Sequence, residues 1–458
     1  MPVKARIDAA FSLLDRLSAS GASSAPEQTI EEIVEREPSR SKRFLKLLGP
    51  GLITGASDDD PSGIGTYAMA GATLGYAPLW LAWITFPLMA AIQFICAKVG
   101  LVSGMGIAGV LRRHYPPLLL YAAVSALLLA NTINAGADIL AIAAGVNLLV
   151  PVPVALIMAP VALLILALQI FARYRLIAKT FKWLTLALFA YIGAALLARP
   201  DWRGVLKGTF VPSLQFDGES LSIIVAVLGT TISPYLFFWQ ASQEVEEDLA
   251  RGRTLRAPRM RASDTKIRYA AWDVAIGMLF SNLVMYFIIL ATAATLHQAG
   301  QTHIDTATQA AEALRPLAGN GAYILMALGL IGTGLLAVPI LTGSAAYAVC
   351  ETFGWRASLS DKPGRAKQFY LVLVAATLGA LLIDYLGVSP MKALFWTAVL
   401  NGFLAPPLLV LIMLISSNRK VMGRRANGPV LNIFGWLTAL AMFAAALALL
   451  ATWGQSAS

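Results

Sequence analysis

Three consecutive carboxylates, Asp58, Asp59 and Asp60, stand directly before a proline inside a long apolar stretch of the sequence. A charge at membrane depth costs at least ~2.5–3.5 kcal/mol, so charged residues there usually serve a function. Pro61 lacks an amide hydrogen and clashes with the preceding helical turn, so we expect the helix to break here. The break frees backbone carbonyl oxygens beside a carboxylate, and hard cations prefer such oxygen ligands. The segment therefore predicts a cation site rather than an acidic loop.

A second helix break is predicted at Pro234, in a later apolar stretch that carries Gly229, Thr230, Thr231 and Ser233. A proline kink in a membrane helix is often only structural, and that alternative applies here too. The position of the break favours a functional role, because the two interrupted helices are the first and the sixth. This is the pattern of an inverted repeat of five plus five helices, in which both breaks meet at the middle of the membrane.

The composition excludes an ordinary water-soluble domain. Of the 458 residues, 58% are hydrophobic and only 13% are charged, whereas about a quarter of the residues of a soluble domain are charged. The formal net charge is +10, but the basic residues lie between apolar stretches, where they orient membrane segments rather than bind nucleic acid. The chain contains neither HExxH nor GxSxG, so the motifs give no support for an enzyme.

The apolar stretches predict an all-α integral membrane protein with about eleven transmembrane helices, since about 20 apolar residues cross a bilayer. The predicted spans are 46–71, 77–101, 117–148, 151–172, 180–199, 220–243, 269–296, 320–345, 367–387, 390–416 and 431–453. Residues 1–45 are predicted to form a cytoplasmic N-terminal tail and residues 46–458 the transmembrane transporter domain. Basic loops alternate with nearly uncharged ones, which places the N-terminus in the cytoplasm and the C-terminus outside a plasma (inner) membrane.

Several motifs occur in an order that is specific as a set. They are the segments 49–51, 60–63, 70–76, 231–235, 342–344, 351–353, 417–423 and 435–437. In this order they resemble the Nramp family of divalent metal transporters, over nearly all of the chain after residue 45. The resemblance implies a LeuT-type fold and alternating access for a divalent cation. It implies no resident cofactor, because the metal is the substrate, and its partners are this ion and the lipid bilayer.

Two departures from the family pattern bear on the identity of the ion. Members that carry manganese and iron place an Asn where this chain has Gly63 and a Met where it has Ser233. Loss of the thioether leaves an oxygen-lined site, and small side chains leave room for the waters that Mg²⁺ keeps. The pattern resembles the Nramp-related magnesium transporters, which implies transport of Mg²⁺ and also of Mn²⁺. The predicted metal site consists of Asp60, Gly63, Thr230 and Ser233.

The candidate residues of an ion or proton pathway are Asp58, Asp59, Asp138 and Tyr235. Tyr235 stands where proton-driven relatives have a His, and an unperturbed Tyr does not titrate near neutral pH. The ninth predicted span also lacks the Arg of those relatives, so transport without proton coupling is predicted. Asp138 aligns with either the Asp or the Glu of the family's third helix, and both registers stay open. The spacing of Asn131, Asn134 and Asp138 places them on one helix face. This face forms either part of a pathway or polar contacts between helices.

Two alternative functions remain at this point. A proton-coupled Mn²⁺/Fe²⁺ transporter would use the same carboxylate, Asp60, with a different proton route. A LeuT-type carrier of an amine or amino acid would pair Asp60 with the ammonium group of its substrate. The sequence does not determine the oligomeric state, for which a monomer is the simplest expectation.

Overall fold

All of the long secondary-structure elements in the described part of the chain are α-helices. The computed structural model describes residues 49–171, 188–250, 262–359, 361, 363–384 and 389–453. The predicted N-terminal tail, residues 1–45, lies outside these ranges and remains a prediction. In chain order the helices are α1 (Pro50–Asp58), α2 (Pro61–Leu74), α3 (Trp80–Ser103), α4 (Ile107–His114), α5 (Pro117–Leu149), α6 (Val154–Phe171), α7 (Ala190–Leu197), α8 (Trp202–Phe210), α9 (Gly218–Thr231), α10 (Pro234–Ala250), α11 (Asp264–Thr292), α12 (Ala307–Ala311), α13 (Arg315–Ala318), α14 (Ala322–Phe353), α15 (Lys367–Asp384), α16 (Pro390–Ser417), α17 (Arg419–Met422) and α18 (Pro429–Trp453).

Eight helical stretches within the described ranges are long and apolar enough to cross a membrane. They are Ala77–Ser103, Pro117–Leu149, Val154–Phe171, Gly218–Leu249, Asp264–His297, Ala307–Phe353, Pro390–Ser417 and Pro429–Thr452. The first predicted span is divided between α1 and α2, and the ninth corresponds to a shorter apolar helix, Lys367–Leu382. Part of the fifth predicted span lies outside the described residues. The all-α membrane fold is confirmed, whereas the count of eleven helices stays a prediction.

Both predicted helix breaks are confirmed. Helix α1 ends at Asp58 and α2 begins at Pro61, while α9 ends at Thr231 and α10 begins at Pro234. Each proline occupies the first position of its helix, where the missing N–H has no intrahelical partner to lose. The chain therefore passes each break through two residues of non-helical backbone, whose polar groups are available to side chains and ions.

Close backbone contacts hold the two interrupted helices against α11 and α16. A Cβ atom on Gly55 of α1 would lie 2.2 Å from the carbonyl oxygen of Gly277, on α11. A Cβ atom on Gly229 of α9 would lie 2.1 Å from the carbonyl oxygen of Ala398, on α16. Small residues allow such approach between membrane helices, where packing rather than the hydrophobic effect drives association. Backbone-to-backbone packing therefore determines where the two interrupted helices lie relative to α11 and α16.

The N-terminus of α1 is capped by a carboxylate from another helix. Asp273, on α11, accepts hydrogen bonds from the backbone N–H groups of Gly49 (3.0 Å), Gly51 (2.7 Å) and Leu52 (3.2 Å). The first N–H groups of a helix have no intrahelical partner, and a negative charge there also complements the helix dipole. Asp273 therefore fixes the N-terminal end of α1, whose C-terminal end carries the acidic segment.

Candidate metal site

Asp60 lies at the first break, as the N-cap residue of α2, and only 1% of it is exposed. Its Oδ1 atom accepts hydrogen bonds from the N–H of Gly63 (2.8 Å) and the hydroxyl of Ser62 (2.6 Å). Its Oδ2 atom accepts from Nδ2 of Asn134 (3.2 Å) and the hydroxyl of Tyr235 (3.3 Å). Groups from α2, α5 and α10 thus fix the direction in which this carboxylate points.

All of the groups that donate to Asp60 are neutral. Within the described ranges, the ion pairs of the protein involve other residues, and Asp58, Asp59 and Asp60 take part in none. The N-terminal end of the α2 dipole favours the negative charge on Asp60 but does not cancel it. A buried carboxylate without a protein cation beside it can attract a metal ion.

Thr230 and Asp60 are connected through one hydroxyl group. Oγ1 of Thr230, on the last turn of α9, lies 3.2 Å from Oγ of Ser62, which itself donates to Asp60. The polar ends of α9 and α2 therefore meet, although the two residues stand far apart in the sequence. This contact joins the two helix breaks, as an inverted repeat requires.

Gly63 lies in close contact with these oxygen atoms. A Cβ atom there would lie 3.3 Å from the carbonyl oxygen of Asp58, 3.3 Å from Cε2 of Tyr67 and 3.5 Å from Oγ1 of Thr230, and the two shorter distances are tighter than ordinary packing contacts. The carbonyl is one of those near the end of α1, where intrahelical partners are missing. A larger side chain at Gly63 would therefore press against a carbonyl and a hydroxyl oxygen.

Ser233 uses its hydroxyl hydrogen within its own segment. Its Oγ donates to the carbonyl oxygens of Gly229 (3.0 Å) and Thr230, which end α9. The lone pairs of Oγ remain available as acceptors. Of the four predicted metal-site residues, the structure connects Asp60, Gly63 and Thr230 through short contacts. Ser233 instead forms its hydrogen bonds with the last carbonyl groups of α9.

Asp58 and Asp59 share one hydroxyl group on α11. The hydroxyl of Ser281 forms a short hydrogen bond with Oδ2 of Asp58 and lies 3.2 Å from Oδ1 of Asp59. A serine has a single hydroxyl hydrogen, so it satisfies only one of the two carboxylates at a time. Both residues are at least 96% buried, at 0% and 4% exposure. They therefore lie inside the protein next to the break rather than in an open vestibule.

Tyr235 joins α10 to the end of α1. Its hydroxyl donates to the carbonyl oxygen of Ser57 (2.8 Å) in addition to its longer contact with Asp60. Asp138 is fully buried on α5, four residues after Asn134 and thus one turn away on the same face. The polar face of α5 is accordingly directed towards the first break at Asn134, the residue that contacts Asp60.

Three residues of this region were not among the candidates from the sequence. Asn134 was assigned only to a polar helix face, because nothing local relates it to Asp60. Ser62 could have been found, since a hydroxyl two residues after an N-cap carboxylate can bond to that carboxylate. Ser281 is a single serine in an apolar helix and gives no signal in the sequence.

The site differs from a resident metal centre. The described residues contain no group of three or more His, Cys, Asp or Glu side chains placed to hold a metal ion. Around Asp60 the polar atoms are hydroxyl, amide and carbonyl groups instead. A single carboxylate with neutral oxygen ligands binds a hard cation while allowing it to leave again, as a transport site requires.

Comparisons with known proteins agree with this description. The family model described as "Natural resistance-associated macrophage protein-like" matches residues 51–452. The divalent metal cation transporter MntH of Klebsiella pneumoniae (strain 342) is 27% identical over 417 residues, which cover 88% of this chain and 94% of the relative. A crystal structure of the Eremococcus coleocola manganese transporter superposes with a TM-score of 0.69 at 20% identity, over 91% of this chain and 88% of that one.

A more distant structure is similar in fold. Mhp1, a nucleobase-cation-symport-1 family transporter in a closed conformation, superposes with a TM-score of 0.54 at 14% identity, over 89% of this chain and 93% of that one. At such identity the likeness concerns the fold alone. It confirms the LeuT-type fold that the family resemblance implies.

Proposed function

Because the chain belongs to the Nramp family, we propose that it transports Mg²⁺, and also Mn²⁺, by alternating access. Family membership makes it a multi-pass membrane transporter of divalent metal cations rather than an enzyme, and makes the metal its substrate rather than a cofactor. The site supports the proposals on the ion and the coupling, and the charge pattern of the sequence supports the proposed orientation.

The observation that carries the magnesium proposal is the set of oxygen atoms around Asp60. They are the carboxylate, the hydroxyls of Ser62 and Thr230, and the carbonyl of Asp58. Mg²⁺ prefers oxygen ligands, needs near-octahedral geometry and keeps several of its waters. A set of oxygen atoms without a thioether offers the hard ligands that this ion prefers.

Competition during uptake into proteoliposomes tests this proposal. Excess Mg²⁺ outside should inhibit Mn²⁺ uptake by the purified protein, whereas an excess of amine or amino acid should not. Empty liposomes and the Asp60→Ala protein serve as controls. If Mg²⁺ fails to compete in the wild type, the chain is a manganese carrier with unusual ligands. If the amino acid competes instead, the ammonium-binding alternative replaces the metal site.

We also propose that metal influx is not coupled to protons. Tyr235 lies at the break, where its hydroxyl donates to the carbonyl oxygen of Ser57 (2.8 Å) and lies 3.3 Å from Oδ2 of Asp60. A tyrosine does not exchange protons readily near pH 7. Metal uptake should therefore leave the internal pH of the liposomes unchanged, as read by an enclosed pH-sensitive dye. Acidification that requires the metal and is lost in Asp138→Asn would contradict this and would show that α5 carries protons.

The orientation and the domain division follow from the charge pattern. We propose a plasma-membrane transporter domain, residues 46–458, with a cytoplasmic tail of residues 1–45 and an external C-terminus. A C-terminal fusion to a reporter that is active only in the cytoplasm should stay silent. A bright signal would show that the C-terminus lies in the cytoplasm and would contradict the proposed orientation.

A further inference from the structure

Asn134, on α5, carries a buried oxygen atom that accepts no hydrogen bond from the described residues. The residue is 0% exposed, and its Nδ2 donates to Oδ2 of Asp60. Its Oδ1 is buried and has no hydrogen-bond partner among the described residues. A carboxylate accepts hydrogen bonds and cannot donate them, so the Asp60 contact determines which end of the amide is nitrogen. The unpartnered atom is therefore the oxygen.

A buried amide oxygen without a partner is uncommon in folded proteins. The large majority of buried polar atoms are hydrogen-bonded, because a group that loses water without a replacement destabilises the fold. The oxygen of Asn134 lies beside a buried carboxylate, where a bound cation would supply the missing partner. Asn131, three residues earlier, offers a contrast, because its Nδ2 donates to the carbonyl of Leu341 at 2.9 Å and its oxygen is not among the buried atoms without a partner.

We propose that Oδ1 of Asn134 is an oxygen ligand of the partly hydrated cation that binds at Asp60. This inference rests on the proposed metal transport at that residue. The oxygen and the nitrogen of the amide share one carbon, and the nitrogen already touches Oδ2 of Asp60, so the oxygen lies within reach of an ion on that carboxylate. Amide oxygens are hard ligands that suit Mg²⁺ and Mn²⁺.

The ligand would extend the ion's coordination to a third helix. Asp60 lies at the break before α2, Gly63 lies in the first turn of α2, and Thr230 belongs to α9. Asn134 would therefore add α5 to the helices that contact the ion. Ion binding at this site would then fix α5 relative to both interrupted helices. The amide would also add to selectivity, because a hard oxygen ligand contributes more to binding of Mg²⁺ than to binding of a softer ion such as Cd²⁺.

Calorimetric titration of the purified full-length protein with Mg²⁺, Mn²⁺ and Cd²⁺ tests this. Asn134→Leu removes both ends of the amide, Asn134→Asp keeps oxygen ligands but removes the N–H donor, and Asn131→Leu is the matched control on the same helix. We expect Asn134→Leu to weaken Mg²⁺ binding by about tenfold or more, a loss of the size that groups around metal sites produce. Cd²⁺ binding should weaken less, and Asn134→Asp should bind Mg²⁺ at least as tightly as the wild type.

The outcomes separate a ligand from a residue that only positions Asp60. If Asn134→Asp loses as much Mg²⁺ affinity as Asn134→Leu, the N–H donated to Asp60 is what matters, and the inference is overturned. Unchanged binding in Asn134→Leu would overturn it as well. If the leucine variant does not fold, as judged by its elution and melting, Asn134→Ala replaces it in the same comparison. A wild type that binds none of these ions refutes the proposed function itself, which is a different result from either.

Discussion

Replacing Asp60 by alanine should abolish uptake of Mg²⁺ and Mn²⁺ while the protein still folds. Asp60 is the carboxylate on which the donors of α2, α5 and α10 converge, and no described cation neutralises it. Neutral oxygen dipoles alone should hold a divalent ion poorly. We expect uptake to fall by about 100-fold or more, since groups that merely support a metal ligand already account for about 10–100-fold in affinity.

A companion variant separates the loss of the ion from damage to the helix. Asp60 caps α2 through Gly63, and loss of an N-cap costs about 1 kcal/mol of stability. Asn is as good an N-cap as Asp, so Asp60→Asn should keep the melting temperature of the wild type and still lose transport. Asp217→Asn is a matched control, because Asp217 caps α9 by accepting from the N–H of Ser220 (2.9 Å) at an exposed site. Wild-type uptake by a well-folded Asp60→Asn protein would refute the proposed site.

The double variant Gly63→Asn with Ser233→Met should shift preference from Mg²⁺ towards Mn²⁺. The Asn side chain would crowd the Asp58 carbonyl and the Thr230 hydroxyl, because a Cβ atom alone would lie 3.3–3.5 Å from its neighbours. This crowding would displace waters that Mg²⁺ retains. The methionine adds a soft sulfur and removes the hydroxyl that bonds to the carbonyls ending α9.

The expected size of this shift is about tenfold in the ratio of inhibition constants, or about 1.4 kcal/mol. The measurement is the concentration of Mg²⁺ that halves Mn²⁺ uptake, for the wild type, both single variants and the double variant. The two changes should not be additive, because both residues belong to the same proposed site. Gly63→Ala is the control that adds volume without a ligand. Equal Mg²⁺ inhibition in all of these proteins would show that neither residue contributes to selectivity.

Much of the fold could be predicted from local features of the sequence. Long apolar stretches indicate membrane-spanning helices, because the thickness of the bilayer sets their length. Pro61 and Pro234 indicate helix breaks, because each lacks the N–H that a helix interior requires. Both helix breaks were therefore found at the correct residues. The number of membrane helices is harder to predict, because α15 is short and each half of an interrupted span is shorter than a complete membrane-spanning helix.

Which side chains meet at Asp60 depends on tertiary packing. Asn134 and Tyr235 stand 74 and 175 residues away in the sequence and reach the carboxylate only because α5 and α10 pack against the break. Likewise, the sequence placed a hydroxyl at Ser233, but only the structure shows that its hydrogen is used by the carbonyls of α9. The sequence thus determined the membrane fold, the breaks and the acidic residue at the first of them. The surroundings of that residue were decided by the tertiary structure, since contacts between helices depend on backbone approach at positions such as Gly55 and Gly229, and no local pattern encodes that geometry.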